Sequence, residues 1–122
     1  MNQHLSCSTA SSGTVAVITC AGEIDMSTAD ALRDELNAAV QSTATAVLVD
    51  LTGVTFMDST GLGLLAKSHT RAVERGSVIR LVGPIPHVAK VMHITQLDQV
   101  LPVHATLDEA LAAAASEITF PT

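Results

Sequence analysis

The sequence has 122 residues, 48% apolar and 15% charged, which is the composition of an ordered globular chain of one domain's length. Twelve Asp+Glu against six Lys+Arg leave a formal charge of −6, so a cationic surface for nucleic-acid phosphates is not expected. With no Trp, no Tyr and two Phe, base-stacking platforms and aromatic sugar clefts are excluded.

Along the chain, strands alternate with helices. Met1–His4 is not basic and has no apolar run behind it, so no signal peptide is read and the expected compartment is the cytoplasm. Leu5–Thr9 reads as a polar edge strand. Thr14–Cys20 is β-branched and nearly all apolar, a strand covered on at least one face. Cys7 and Cys20 have neither a CxxC nor a zinc spacing. They read as two reduced, mostly buried thiols, since a cytosolic chain would not keep a disulfide. At Gly22 a loop begins, Gly22-Glu23-Ile24-Asp25. Ser27 is placed to cap a helix, with Asp30 at its third position, and Ala29, Leu32, Leu36 and Val40 recur at helical spacing. Ala46–Leu51 is the next strand and Thr52–Met57 reads as a loop.

A helix over about 59–75 follows, with Leu62, Leu65, Ala66, His69 and Val73 as its apolar stripe. Lys67, Arg71, Glu74 and Arg75 fall off that stripe, and Leu64 is also off it and is expected at the surface. Gly76 stops the helix and Val78–Val82 is a further strand. Gly83-Pro84 turns into a short helix near Pro86–His93, and Val100–Val103 is a last short strand that Pro102 confines to an edge. Thr106 and Glu109 form a capping box that opens a C-terminal helix to about Glu117. Strands separated by helices require crossover connections, hence mostly parallel pairing. The chain is read as α/β, a single domain over 1–122 with its core at about 13–112. No stretch approaches the ~20 apolar residues of a membrane span.

The densest cluster of unusual residues is Phe56-Met57-Asp58-Ser59-Thr60-Gly61-Leu62-Gly63. Asp58, Ser59 and Thr60 are all good N-cap residues, so free helical N–H groups are expected here. Two glycines in the first turn expose backbone and weaken the helix. Many helices begin with Asp-Ser, and on these residues alone a plain helix start is an open reading. Gly61-x-Gly63-x-x-Ala66 fits the dinucleotide pattern in letters only. It lies too far from its strand, and the region where an acid should follow reads Leu81-Val82-Gly83. No P-loop and no G-x-S-x-G elbow occur. A phosphoacceptor receiver could draw on Glu23, Asp25, Asp50 and Asp58, but no Lys ends the Val100–Val103 strand. His87 and His93 are six apart, not at ligand spacing, and His69 reads as a boundary residue, so no metal site is expected.

With Gly22-Glu23-Ile24-Asp25 and the cluster from Phe56 to Gly63, the chain resembles the STAS-domain anti-sigma factor antagonists of bacteria over about residues 13–112. Gly83 and the Val91–Leu97 segment are also similar to that family. The resemblance implies a mixed four- to five-stranded β-sheet with helices packed on one face and the first strand antiparallel. It implies a partner, an anti-sigma factor that is also a serine kinase and phosphorylates the serine after the motif's aspartate, here Ser59. Thr60 takes the place of a second serine found in some relatives. The phosphorylated form would release the kinase to hold the sigma factor, and a PP2C-type phosphatase would restore binding. The segment Thr55–Leu62 would be the contact surface, carrying Asp58, Ser59, Thr60, Gly61 and Leu62, with Leu64 beside it and Asp25 flanking it. On its residues alone Asp25 could simply cap a turn.

The chain would thus be a substrate and not an enzyme, without a cofactor. With no heptad or large apolar stripe, a monomer is expected. A phosphate at a helix N-terminus is tolerated by the dipole, so it should act on the interface and not on the fold. The same fold without the switch would serve a stressosome-like scaffold or a lipid-transport accessory complex. A small enzyme using Asp58 and Ser59 is the reading from a different class, but no general base or oxyanion arrangement is evident.

Overall fold

The computed structural model describes residues 4–118; residues 1–3, on which the signal-peptide reading rests, and 119–122 lie outside it. Five strands form one sheet in sequence order: β1 (Leu5–Ser12), β2 (Val15–Ile24), β3 (Ala46–Met57), β4 (Val78–Val82) and β5 (Val103–His104). The β1–β2 hairpin is antiparallel and every other pair is parallel. The connections carry α1 (Ala29–Gln41), α2 (Ser59–Glu74), α3 (Pro86–Ile94) and a 3₁₀ turn at Leu97–Gln99; α4 (Leu107–Ile118) ends the described chain.

The expected layer of helices on one face is built by α1, α2 and α3. Ile18, Val47, Val49, Leu51, Ile79 and Leu81 of the sheet pack there against Leu32, Leu36, Leu65 and Met92. The alternate residues of the central strands, Ala46, Leu48 and Val82, meet Ala110 and Ala114 of α4 on the opposite face. This two-sided cover explains why Ala46–Val49 is an unbroken apolar run. Half of the expected capping box at α4 forms: Thr106 Oγ1 accepts from Glu109 N–H at 3.1 Å, while Glu109 Oε1 accepts at 3.2 Å from Ala105 N–H, one residue before the cap.

Four elements differ from the sequence reading. First, Thr52–Met57 is not a loop but the second half of β3. Pairing slips twice along β2, from Thr19↔Asp50 to Ala21↔Gly53 and from Gly22↔Val54 to Glu23↔Phe56. Each slip puts one extra residue on β3, a bulge that breaks alternation without ending the strand. Second, β2 likewise continues through Gly22 to Ile24, so the loop starts at Asp25. Gly22 has φ +120°, and a Cβ there would sit 2.3 Å from the carbonyl oxygen of His4. No other residue type fits that crossing of β1 over β2. Third, the buried face of α2 is Gly61, Leu62, Leu64, Leu65, Ser68 and Ala72, and Val73 is 55% exposed. The helix lies on small residues, and a stripe counted from large apolar ones is rotated away from them. Fourth, β5 is Val103–His104, just after Pro102, whose carbonyl accepts from Leu81 N–H at 2.9 Å.

Both cysteines are free thiols. The β1–β2 register sets Cys7 opposite Cys20, with the sulfurs 3.3 Å apart. The hydrogen bond between them lowers the Cys7 pKa, whereas that bond and burial push the Cys20 thiol up. Directly opposed residues on antiparallel strands lie within disulfide range. Treatment with diamide is expected to close an intramolecular disulfide, each thiol giving up one hydrogen to the reagent, as read by intact mass without reduction. Covalent dimers with no intramolecular product would contradict this register.

Candidate functional site

The site forms where β2 and β3 end side by side. Ile24 pairs with Met57, and Asp58 N–H donates to the Ile24 carbonyl at 3.1 Å. Asp25 and Asp58 therefore leave adjacent parallel strands together, at the edge where α1 and α2 begin.

Asp58 is the N-cap of α2, with extended backbone, and its carboxylate accepts from Thr60 N–H at 2.8 Å and Gly61 N–H at 3.4 Å. Caps of this kind stabilise by about 0.5–2 kcal/mol. The cap leaves Ser59 as the first helical residue, exposed, with its hydroxyl outside the core. Thr60 is half-buried behind it. Gly61 is fully packed: an added Cβ would meet Ile24 Cγ2 and Met57 Cγ at 2.7 Å. Gly63 is the opposite case, with nothing within 4 Å of an added Cβ.

Asp25 does hold a turn. Its carboxylate accepts from Ser27 N–H at 2.9 Å, Ser27 Oγ at 2.8 Å and Thr28 Oγ1 at 3.3 Å. The Ser27 hydroxyl is the main reason its carboxyl lies below the usual range, so Asp25 stays ionised. Ser27 is thus spent on Asp25 and does not cap α1. The helix starts after Thr28, whose hydroxyl donates to the Glu23 carbonyl at 2.7 Å instead.

Of the residues expected at a contact surface, the structure brings Asp25, Asp58, Ser59 and Thr60 together at one edge. Leu64, expected at the surface, is 8% exposed and Leu62 is 9% exposed. Leu64 turns toward α1 because α2 rests on its Gly61–Ser68–Ala72 side. It forms the floor of a cleft of about 290 Å³, lined also by Arg33, Ser59, Thr60, Gly63 and Lys67. That cleft adjoins a groove of about 430 Å³ between α1 and α2 that shares Arg33, Leu64 and Lys67. Sequence reasoning missed Arg33 and Lys67, because only the packing of α1 on α2 puts them beside Ser59. It also missed Met26, which follows Asp25 and is 81% exposed. A large apolar residue in a polar loop was the available signal. Phe56 at the end of β3 stacks on His87 of α3, with ring centroids 6.4 Å apart. Among the described residues, no three His, Cys, Asp or Glu side chains are grouped to hold a metal ion. No helix among them is long and apolar enough to cross a membrane.

The STAS domain family pattern matches residues 7–110. The chain is similar to the anti-sigma-F factor antagonist RsfB of Mycobacterium tuberculosis, 34% identical over 105 residues that span 80% of this chain and 79% of RsfB. It is also similar to RsfA of the same organism, named likewise, at 33% over 99 residues, 80% of this chain and 77% of RsfA. The crystal structure of an anti-sigma factor antagonist from Mycobacterium paratuberculosis superposes with a TM-score of 0.84 at 32% identity, covering 91% of this chain and 94% of that one. The sheet order, the antiparallel first hairpin and the capped Asp58-Ser59 start of α2 thus sit in a chain that belongs to the STAS domain family.

Proposed function

We propose that this protein is a cytoplasmic anti-sigma factor antagonist switched by phosphorylation of Ser59. In the unphosphorylated form it binds an anti-sigma factor that is also a serine kinase, and the sigma factor is freed. The kinase passes the γ-phosphoryl group of ATP to Ser59 Oγ; the hydroxyl loses its proton and ADP leaves. The phosphorylated protein lets go, and a PP2C-type phosphatase restores the hydroxyl by hydrolysis.

One observation carries this reading: Ser59 is exposed at the first position of α2, with Asp58 supplying the cap. The hydroxyl is therefore accessible and has no structural duty to lose. The names of the mycobacterial relatives support the partner class. A phosphate adds about −1.5 to −2 charges beside the Asp58 and Asp25 edge. At a docked interface, such a mismatch costs roughly 2–5 kcal/mol. Asp25, Asp58, Ser59 and Thr60 are the proposed contacts, and Gly61, Leu62 and Leu64 support them from beneath. The protein is the substrate of the reaction, and its own residues need no cofactor for this role.

The test is a kinase assay with wild type and Ser59→Ala, candidate anti-sigma kinases from the same genome and Mg·ATP, read by intact mass and peptide mapping. One phosphate on wild type, at Ser59 and absent from the variant, is expected. Phosphate at Thr60 would move the site. No phosphate from active kinases would replace the switch by a non-switching STAS scaffold.

A further inference from the structure

Gly63 is four residues after Ser59 and four before Lys67, so the three form one row along α2. Helical side chains lean toward the N-terminus, which carries Lys67 over Gly63 toward Ser59. Nothing stands in the way, since even a Cβ on Gly63 would meet no atom within 4 Å. The opposite wall is Arg33 of α1, which lines the same cleft as Ser59 and Lys67. Two of the six basic residues in a chain of charge −6 therefore flank this one exposed hydroxyl. Arg33 is at present paired with Asp30, one turn before it on α1. Both side chains of that pair are solvent-exposed, at 44% and 85%, and such pairs are weak.

We propose that Arg33 and Lys67 form a seat for the phosphoryl group on Ser59. The proposal rests on Ser59 being the phosphorylated residue and adds where the group goes. A phosphate dianion is a stronger acceptor than a solvated carboxylate, and guanidinium binds it through two parallel hydrogen bonds. Arg33 exchanges Asp30 for the phosphate, and Lys67 closes over Gly63 from the other side. The two cations hold the group at the mouth of the α1–α2 cleft, with the carboxylate of Asp58 as the opposing charge on the neighbouring residue. Phosphorylation then changes three surface features together. Ser59 gains a bulky anion, Arg33 and Lys67 are withdrawn from any partner, and Asp30 loses its cation.

The experiment does not need the kinase. Phosphoserine is installed at position 59 during translation, and its second ionisation is followed by ³¹P NMR in the folded protein and in urea. A folded midpoint about half a pH unit or more below the urea value is expected, because both cations favour the dianion. Arg33→Gln with Lys67→Gln should remove the part of that shift the two cations supply and leave only what the start of α2 contributes, and Gly63→Leu, which fills the gap under Lys67, should reduce it. All three positions are exposed, and far-UV CD checks each fold. A folded midpoint at or above the urea value, or one unmoved by the double variant, overturns the seat. Failure of every kinase to modify Ser59 would instead overturn the switch and leave this measurement standing on its own.

Discussion

Ser59→Asp is expected to fold and melt like wild type, or slightly higher, while binding to the anti-sigma kinase falls about thirty-fold or more. The two halves of this result have separate causes. An aspartate at the first turn of α2 sits at the positive end of the helix, a favourable term of about 0.3–1 kcal/mol. Asp58 keeps its hydrogen bonds to Thr60 N–H and Gly61 N–H, so the helix start is not rebuilt. At the interface, the new carboxylate joins Asp58 and Asp25 at the same edge and must be desolvated on docking, which at the lower end of ~2–5 kcal/mol is about thirty-fold. Calorimetric titration against the kinase and thermal unfolding of the same sample separate the two. A variant that melts well below wild type would make Ser59 a structural residue. One that folds and still binds at wild-type strength would remove the electrostatic basis of the switch. Ser59→Ala should bind as tightly as wild type and stay bound in the presence of ATP.

What could be read from the sequence divides along physical lines. The order of strands and helices and the capped start at Asp58 are local properties, set by apolar spacing and by the hydrogen-bonding reach of one side chain. Both are present in the structure. Ser27 fails as a cap for a local reason, the carboxylate of Asp25 two residues before it. At Thr52–Phe56, Leu64, the Cys7–Cys20 pair and the Arg33–Lys67 pair, a local pattern is answered by something distant. Thr52–Phe56 carries polar residues and Gly53 and looks like a loop, yet the far half of β2 pairs with it through two bulges. Leu64 looks exposed when α2 is read by large residues alone, and is buried because the helix lies on Gly61, Ser68 and Ala72. The Cys7–Cys20 contact depends on a hairpin register that no Cys spacing encodes. Arg33 and Lys67 are unremarkable polar positions on two separate helices, and only the α1–α2 packing makes them neighbours of Ser59.

The glycines of α2 give the sharpest test of that packing, because one substitution should act with opposite sign two residues apart. Gly63→Ala is expected to stabilise the protein by up to about 1 kcal/mol: the position is helical and exposed, and an added methyl meets nothing. Gly61→Ala gains the same helix propensity but drives its methyl to 2.7 Å from Ile24 Cγ2 and Met57 Cγ. Overpacking of this kind costs ~1–3 kcal/mol, so a net loss of about 1 kcal/mol is expected. In a chain of this size each kcal/mol corresponds to roughly 4 °C in Tm. The consequence reaches the site. Ile24 and Met57 directly precede Asp25 and Asp58, so relief of the clash shifts the ends of both strands and the two carboxylates with them. Gly61→Ala should therefore weaken kinase binding as well as stability, whereas Gly63→Ala should leave binding unchanged, since a methyl is too short to block the cleft. Equal melting temperatures for the two variants would mean that α2 is not seated on β2 and β3 through Gly61, and that the carboxylate edge is positioned by something else.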